Sequence, residues 1–226
     1  MDSSPRPSCL TPLQRDLLDA FFARERRLVL TGGGALAGFY LGHRTTDDLD
    51  LFTPPGPDLA DAAHALDEAA RSLGATAVPR TTYVDFRRVL VQRGDETCVV
   101  DLVVDRAPPL DHEKMSFGAV IVDTKREIAA NKITTLLSRS EIKDLVDLVA
   151  LVASGVELDQ AIVDARKKDG GAEPATLAWL LEQIEIGPEA RLPGGMAPER
   201  VLAMRDELVR RLRRMAFGEA RRGEVP

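Results

Sequence analysis

The chain is poor in cysteine and in long apolar runs. It has two cysteines among 226 residues, Cys9 in a polar tail and Cys98 in an expected strand, which excludes a disulfide framework and a cysteine-based zinc site. The longest apolar run, residues 145–153, is far too short to span a bilayer and contains Asp147. The first ten residues contain no apolar segment. We therefore expect no signal peptide, no membrane contact and a cytoplasmic protein.

The chain also lacks an excess of basic residues. Its formal net charge of −6 argues against a general nucleic-acid coat protein, because such binding depends on many contacts with phosphate. Arginines are nevertheless concentrated in residues 200–222. The default interpretation of that segment is an amphipathic helix with a charged outer face, and the alternative is a surface that holds an RNA backbone.

Aromatic residues are scarce, at 4% of the chain, whereas hydrophobic residues make up 44%. This composition can bury a full core and favours helices around a modest sheet. We predict an α/β fold in which a small mixed β-sheet is flanked by helices and is followed by a C-terminal helical domain. The expected domains are a disordered tail (1–10), a mixed α/β domain (11–123) and an all-helical domain (124–226), with Trp179 in the core of the last.

The pattern of apolar residues and turn residues places the individual elements. Strands are expected at 28–31, 49–52, 75–78, 83–92, 97–104 and 119–122. Helices are expected at 11–26, 35–41, 59–73, 124–138, 140–154, 158–168, 174–184 and 198–217. Residues 93–96 are expected to form the turn of a β-hairpin.

Three consecutive glycines, Gly32, Gly33 and Gly34, stand between an expected strand and an expected helix. Glycine at such a turn allows the backbone to approach a phosphate closely, and the first turn of the helix offers unpaired N–H groups. The run GGGALAG lacks the lysine of a P-loop and the spacing of a dinucleotide-binding fingerprint. By itself it is also compatible with an ordinary turn.

Two aspartates follow in the next expected strand. Asp48 and Asp50 are two residues apart, so both carboxylates point to the same side of the strand. Like charges this close need a cation to neutralise them, and aspartate, a divalent metal and phosphate oxygens commonly occur together. The alternative is an acidic strand end that faces water, but Leu49 and Leu51 indicate a partly buried strand.

A two-metal site usually needs a third carboxylate. Asp101 is the preferred candidate because it lies in the middle of an apolar strand, where a charge without a partner is costly. Asp105 shares its face but lies at the strand end, and Asp85 in the neighbouring strand is a weaker choice.

A glycine pair, a gap, Asp-x-Asp and a later strand carboxylate resemble the polymerase-beta-like nucleotidyltransferase superfamily. More narrowly, residues 30–52 resemble the AbiEii/AbiGii-type toxin family, in which a Gly-Gly-small-Ala-Leu run leads to Arg-x-Ser/Thr-x-Asp, an apolar residue and Asp. Arg44, Thr46, Asp48 and Asp50 match that pattern. Gly34 stands where many relatives carry Thr or Ser, so the contacts of the glycine turn are expected to be made by the backbone alone.

The expected helix at 124–138 carries three basic residues at seven-residue intervals, Lys125, Lys132 and Arg139. From periodicity alone, these are either a ridge that contacts a triphosphate or side chains whose stems cover the core while their charges meet water. Residues 127–151 resemble the second signature of the same family. The resemblance implies that Lys132 contacts triphosphate and that Asp144 lies near the active site or orients a basic partner.

The other members of this second signature are Glu127, Arg139, Lys143, Asp147 and Leu148. The resemblance adds Arg139 to the nucleotide-binding residues, which on the glycine side are Gly32, Gly33, Gly34, Arg44 and Thr46. We expect Lys143 and Asp147 instead to form a surface pair one helical turn apart.

The resemblance implies a nucleotidyltransferase with a nucleoside triphosphate as substrate and Mg²⁺, or Mn²⁺ in its place, on Asp48, Asp50 and Asp101. It further implies the toxin of a toxin–antitoxin system, with a cognate antitoxin and with tRNA 3′ ends as acceptor. Three alternatives remain open: nucleotidylation of a protein, modification of a small molecule, and a non-catalytic module that binds nucleotide.

Overall fold

The chain divides into two compact units in a computed structural model that describes residues 9–139 and 141–223. Unit 1 comprises the described part of Met1–Arg106 together with Asp111–Thr124. Unit 2 comprises Ala107–Leu110 and the described part of Lys125–Pro226. The chain passes between the units after Arg106, after Leu110 and after Thr124.

Unit 1 is built on one mixed sheet with the strand order β3-β4-β5-β2-β1-β7-β6. Its strands are β1 (Val29–Thr31), β2 (Asp48–Thr53), β3 (Thr76–Thr82), β4 (Phe86–Arg93), β5 (Glu96–Val104), β6 (Met115–Phe117) and β7 (Val120–Val122). Its helices are α1 (Pro12–Phe22), α2 (Gly32–Ala35) and α3 (Leu59–Ser72). β2 runs parallel to β5 and β1 runs parallel to β7, whereas the other neighbouring strands are antiparallel.

The two faces of this sheet differ. Leu49 and Leu51 of β2 and Val100 and Leu102 of β5 are buried on one face, where α1 and α3 pack against the sheet. Burying side chains of this size contributes about 1.5–3 kcal/mol each. The opposite face of β2 carries half-buried residues in alternation with the buried ones. Asp48 and Asp50 therefore lie on the face turned away from α1 and α3, which we call the open face.

Local sequence signals set the ends of these elements. Thr11 caps α1 in a capping box with Gln14, and Pro12 occupies the first helical turn. The hairpin between β4 and β5 closes at Arg93 and Glu96, and Gly94 supplies the positive φ of 58°. The hairpin turn at residues 93–96 was predicted from sequence and is confirmed.

Unit 2 is helical. Its helices are α4 (Lys125–Ser138), α5 (Ile142–Ala153), α6 (Leu158–Lys168), α7 (Pro174–Glu182) and α8 (Pro198–Gly223). α4 packs against α5, α6 and α7, and α8 packs against α5 and α7. Their buried side chains form one apolar core that includes Ile133, Leu145, Ile162, Leu177 and Leu212.

The predicted fold class, an α/β protein with a small mixed sheet and a helical part, is confirmed. Four details were wrong. Residues 1–8 of the expected disordered tail lie outside the described residues, but Leu10 is buried and the Cys9 N–H donates to the Ala37 carbonyl. The helix expected at 35–41 is instead α2 followed by a π-helical segment, Leu36–Tyr40.

The third detail is β6, which sequence reasoning missed because it has only three residues and pairs solely with β7. The fourth is Trp179, expected in the core, which is 60% exposed on α7. Within the described residues, no helix has the length and apolar character needed to cross a membrane.

Candidate active site

One lateral row of side chains crosses the open face of the sheet in unit 1. Asp50 on β2 is in register with Asp101 on the parallel strand β5, and Asp101 is in register with Arg88 on β4. On the other side of β2, Asp50 is in register with Thr31, the last residue of β1. Residues in register on neighbouring strands point to the same face and lie about 5 Å apart. The row therefore places the carboxylates of Asp50 and Asp101 side by side.

Asp48 lies two residues before Asp50 on the same face, and both side chains are half-buried. The Thr46 hydroxyl donates a hydrogen bond of 2.7 Å to Asp48 Oδ1. Thr46 is therefore placed to orient this carboxylate. Asp47, the residue before β2, is exposed and lies outside the strand.

The glycine turn leaves room for the side chains of Asp50 and Arg44. Gly32 has a φ of 63°, and a Cβ at this position would clash with the Asp50 carboxylate. A Cβ on Gly33 would lie 2.6 Å from Arg44 Nη2. Gly34 faces the apolar side, where its Cβ would lie 3.1 Å from Leu49 Cδ2. The sequence predicted close approach of a phosphate; the structure shows close approach of Asp50 and Arg44.

Arg44 is buried beneath this turn, and its Nη1 donates to the Thr45 carbonyl at 2.9 Å. The buried hydroxyl of Thr31 has no hydrogen-bond partner among the described residues. Such a group is costly to bury unless something satisfies it. Thr31 was not predicted as a site residue, and its place in the row makes it a candidate ligand contact.

Asp101 is tied to Arg88 by a bidentate ion pair. Arg88 Nε donates to Oδ1 at 2.8 Å and Nη2 donates to Oδ2 at 2.6 Å. Asp101 is 5% exposed, whereas the side chain of Arg88 is 48% exposed. Hydrogen bonding to Asp101 raises the pKa of Arg88 above its ordinary value, burial opposes this, and the charges of Asp101, Asp48 and Asp50 add to it.

The two alternatives to Asp101 lie elsewhere. Asp105 follows the end of β5, and its backbone N–H donates to the Thr53 carbonyl at 2.8 Å. Asp85 pairs with Arg106, whose Nη2 lies 2.7 Å from Asp85 Oδ2. Of the three candidates, Asp101 is the one that stands in register with Asp50.

Arg88 was missed by sequence reasoning, although a signal for it existed. The hairpin pairs Arg93 with Glu96, and counting five residues back and five forward pairs Arg88 with Asp101. A charged residue opposite a carboxylate within an apolar strand pair indicates an ion pair.

The oxygen ligands of Asp48 and Asp50 suit a divalent metal, and the unsatisfied Thr31 hydroxyl lies in the same row. The described residues contain no ready-made group of three or more His, Cys, Asp or Glu side chains arranged around one point. The third carboxylate, Asp101, is instead engaged on both oxygens by Arg88. Asp48 and Asp50 therefore fit a metal as two carboxylate ligands. Asp101 becomes available as a third ligand only when Arg88 releases it.

A second charged cluster lies within unit 2, between α4 and α5. Lys132 Nζ lies 2.8 Å from Asp144 Oδ1 and 2.7 Å from Asp147 Oδ2. Arg139 donates to Asp144 from Nε at 3.1 Å and from Nη2 at 3.2 Å. Asp144 therefore orients two basic side chains. Lys143 pairs with Glu141 at 3.0 Å. The expected surface pair of Lys143 with Asp147 was wrong, because Asp147 is fully buried.

Lys132 is itself buried, with 6% of its side chain exposed. The interpretation in which the stem covers the core while the charge meets water is therefore wrong for Lys132, because its ammonium is buried. Burial alone would lower the pKa of Lys132, but the charges of Asp147 and Asp144 outweigh it and leave the pKa above its ordinary value. The lysine is therefore a charged member of a buried network at neutral pH.

The chain resembles two solved structures over most of its length. It matches the crystal structure of JHP933 from Helicobacter pylori with a TM-score of 0.54 and 17% identity, over 94% of this chain and 95% of that one. It matches MenT4, a nucleotidyltransferase toxin from Mycobacterium tuberculosis, with a TM-score of 0.52 and 15% identity, over 88% of this chain and 80% of that one. At such identities the likeness shows a shared fold. No curated protein matches the sequence.

The match to a family model is more specific. Residues 15–222 match the model described as nucleotidyl transferase AbiEii toxin, type IV TA system. The fold and this match define the class: the chain is a nucleotidyltransferase. It belongs to the AbiEii toxin family of type IV toxin–antitoxin systems, which confirms the resemblance found in the sequence. Membership implies a nucleoside triphosphate as substrate and a cognate antitoxin.

Proposed function

We propose that the chain transfers a nucleoside monophosphate from a nucleoside triphosphate to the hydroxyl of a tRNA 3′ end, in the cytoplasm, with Mg²⁺ or Mn²⁺ as cofactor. The observation that carries this proposal is the row on the open sheet face, where Asp50 and Asp101 stand in register beside a glycine turn and an unsatisfied threonine hydroxyl. The choice of tRNA as acceptor rests on the family resemblance.

The site residues of unit 1 have different roles in the proposed reaction. Asp48 and Asp50 would hold the metal, which would offset the charge of the triphosphate and of the transition state. Thr46 keeps the Asp48 carboxylate oriented through its 2.7 Å hydrogen bond. Gly32 and Gly33 contribute backbone contacts to the β- and γ-phosphates, and Arg44 lies beneath them.

The chemical step is an in-line displacement at the α-phosphorus. The acceptor oxygen forms a bond to phosphorus, the bond to the β-phosphate oxygen breaks, and pyrophosphate leaves with the bonding electrons. Asp101 takes the proton of the acceptor hydroxyl, for which it must be free of at least one contact with Arg88.

The residues of unit 2 enter the proposal through the family resemblance. Lys132 offsets the charge of the triphosphate, which requires its ammonium to exchange an aspartate for phosphate. Arg139 is better exposed, with 41% of its side chain open to solvent, and can contact a phosphate while Asp144 holds it. Asp144 thus acts by orienting both cations.

The test is a transfer assay with nucleoside triphosphates labelled on the α-phosphate, incubated with Mg²⁺ and either purified tRNA or cell lysate. We expect label to enter tRNA. Asp48→Asn should lower transfer by about a thousandfold, since the metal supplies several kcal/mol of transition-state stabilisation. Asp47→Asn is the matched control, because Asp47 is adjacent but exposed and outside the row.

Each other outcome contradicts part of the proposal. Full activity in a folded Asp48→Asn protein would refute the metal assignment. Label on protein or on a small molecule would replace tRNA as the acceptor. Label on no acceptor, while nucleotide still raises the thermal stability, would indicate a binding module without transfer activity.

A further inference from the structure

We propose that Arg88 is a positioning residue that competes with the divalent metal for Asp101. It holds this carboxylate when no metal is bound and must give up at least one of its two contacts when metal and nucleotide enter. This inference rests on the proposed metal site and deepens it. Arg88 lies outside both family signatures, yet it controls the third carboxylate, Asp101.

The geometry of the pair supports competition. Two parallel N–H···O bonds, of 2.8 and 2.6 Å, engage both oxygens of Asp101. A bidentate guanidinium fixes the plane of the carboxylate and places a full positive charge against it. A metal ion that approaches the same oxygens meets that charge at close range. Arg88 therefore opposes the binding of a metal to Asp101 in its present arrangement.

The balance of charge supports it as well. Asp48, Asp50 and Asp101 place three carboxylates on one sheet face, with Arg88 at the end of the same row. The charges of Asp48 and Asp50 act on Arg88 in addition to that of Asp101. The guanidinium thus offsets part of the negative charge of these three carboxylates before any metal is present. A bound cation would have the same effect.

Arg88 is also the member of the pair that can move. Its side chain is 48% exposed, whereas Asp101 is nearly buried, so a displaced guanidinium can be hydrated while a displaced carboxylate cannot. The guanidinium carbon lies 5.6 Å from the centre of the Phe86 ring. Arg88 already makes this cation–π contact while it is paired with Asp101, so the contact can remain when the pair opens.

The experiment measures metal affinity by titrating the full-length protein with Mn²⁺ in a calorimeter, with no nucleotide present. Four proteins form a double-mutant cycle: wild type, Arg88→Gln, Asp101→Asn and the double variant. Arg88→Gln should tighten Mn²⁺ binding about tenfold when Asp101 is present, because a charge-assisted pair no longer has to be broken. In the Asp101→Asn background the same change should matter about twofold, through loss of simple repulsion.

A control removes an arginine from another ion pair of the same unit. Arg106→Gln breaks the exposed pair with Asp85 and should leave Mn²⁺ affinity unchanged. Circular dichroism and thermal unfolding of every variant show that the comparison is made between folded proteins.

Three results would overturn the competition. They are an unchanged affinity in Arg88→Gln, a weaker affinity, and an equal gain with and without Asp101. If Asp48→Asn abolishes Mn²⁺ binding while Arg88→Gln has no effect, the metal site stands and the role of Arg88 fails. If wild type and Asp48→Asn bind Mn²⁺ equally, the proposed metal site fails, and the inference fails with it.

Discussion

Replacing Lys132 by methionine should strongly destabilise unit 2. The substitution keeps the length of the side chain and removes its charge, which leaves Asp144 and Asp147 buried without the ammonium they share. Breaking a buried ion pair by removing one partner costs about 3–5 kcal/mol. Arg139 still contacts Asp144, so the cost should lie within that range rather than above it.

Urea unfolding at neutral pH measures this cost. Trp179 is the only tryptophan of the chain and lies on α7 of unit 2, so its fluorescence, together with the helical signal in circular dichroism, reports on the transition. The matched control is Lys143→Met on the neighbouring helix. Lys143 is partly exposed and pairs with Glu141 at 3.0 Å, so its loss should cost at most about 1 kcal/mol.

The pH dependence of this difference follows from the direction of the pKa shift. The pKa of Lys132 is raised in the folded protein, so the stability it contributes is fully present below the ordinary lysine pKa of 10.5. That stability is lost as the pH rises through the raised folded-state value. The difference in unfolding free energy between wild type and Lys132→Met should therefore be constant between pH 7 and about pH 10 and should become smaller above pH 10. A gap below about 1 kcal/mol at pH 7, or an equal cost for Lys143→Met, would refute the reasoning.

Two further outcomes follow from the structure of unit 1. Gly32→Ala should lose nucleotidyl transfer, and Gly118→Ala, with the same φ of 63° but no neighbour within 4 Å, should keep it, although both lose about 1–2 kcal/mol of stability to backbone strain. Equal activity in the two variants would show that the clash with Asp50 is harmless. Burial raises the pKa of the Cys98 thiol to about 12, so a thiol reagent at pH 8 should leave Cys98 unmodified until urea unfolds the protein. Rapid labelling of Cys98 in a folded Cys9→Ser variant would contradict its burial.

The parts of the candidate site that depend on local pattern could be predicted from the sequence. The two-residue spacing of Asp48 and Asp50 in a strand fixes their common face, and that prediction needed no knowledge of neighbouring strands. The choice of Asp101 used the high cost of a charge within an apolar strand. The structure supports that choice through the register of β2 and β5.

The non-local parts could not be read in the same way. Nothing in the local pattern says that β2 lies between β5 and β1, so the approach of Thr31 to the acidic row was not visible. The partners of Lys132 were missed for a different reason. Lys143 and Asp147 have the spacing of a surface pair, but α5 is buried around most of its circumference, which leaves Asp147 no exposed side. Spacing along a helix predicts which side chains are neighbours, whereas their burial determines whether they can form a surface pair.

The path of the chain between the two units has a consequence for dissecting the protein. Residues 107–110 belong to unit 2 although the chain returns to unit 1 for residues 111–124, and the N–H of Leu110 donates to the Glu127 carboxylate on α4. Neither unit is one uninterrupted stretch of sequence. A fragment that ends after Thr124 takes this short segment away from its helical partner, and a fragment that starts at Lys125 lacks it. Shortened forms and hybrids that join either half to a relative's other half therefore need to carry residues 107–110 together with α4.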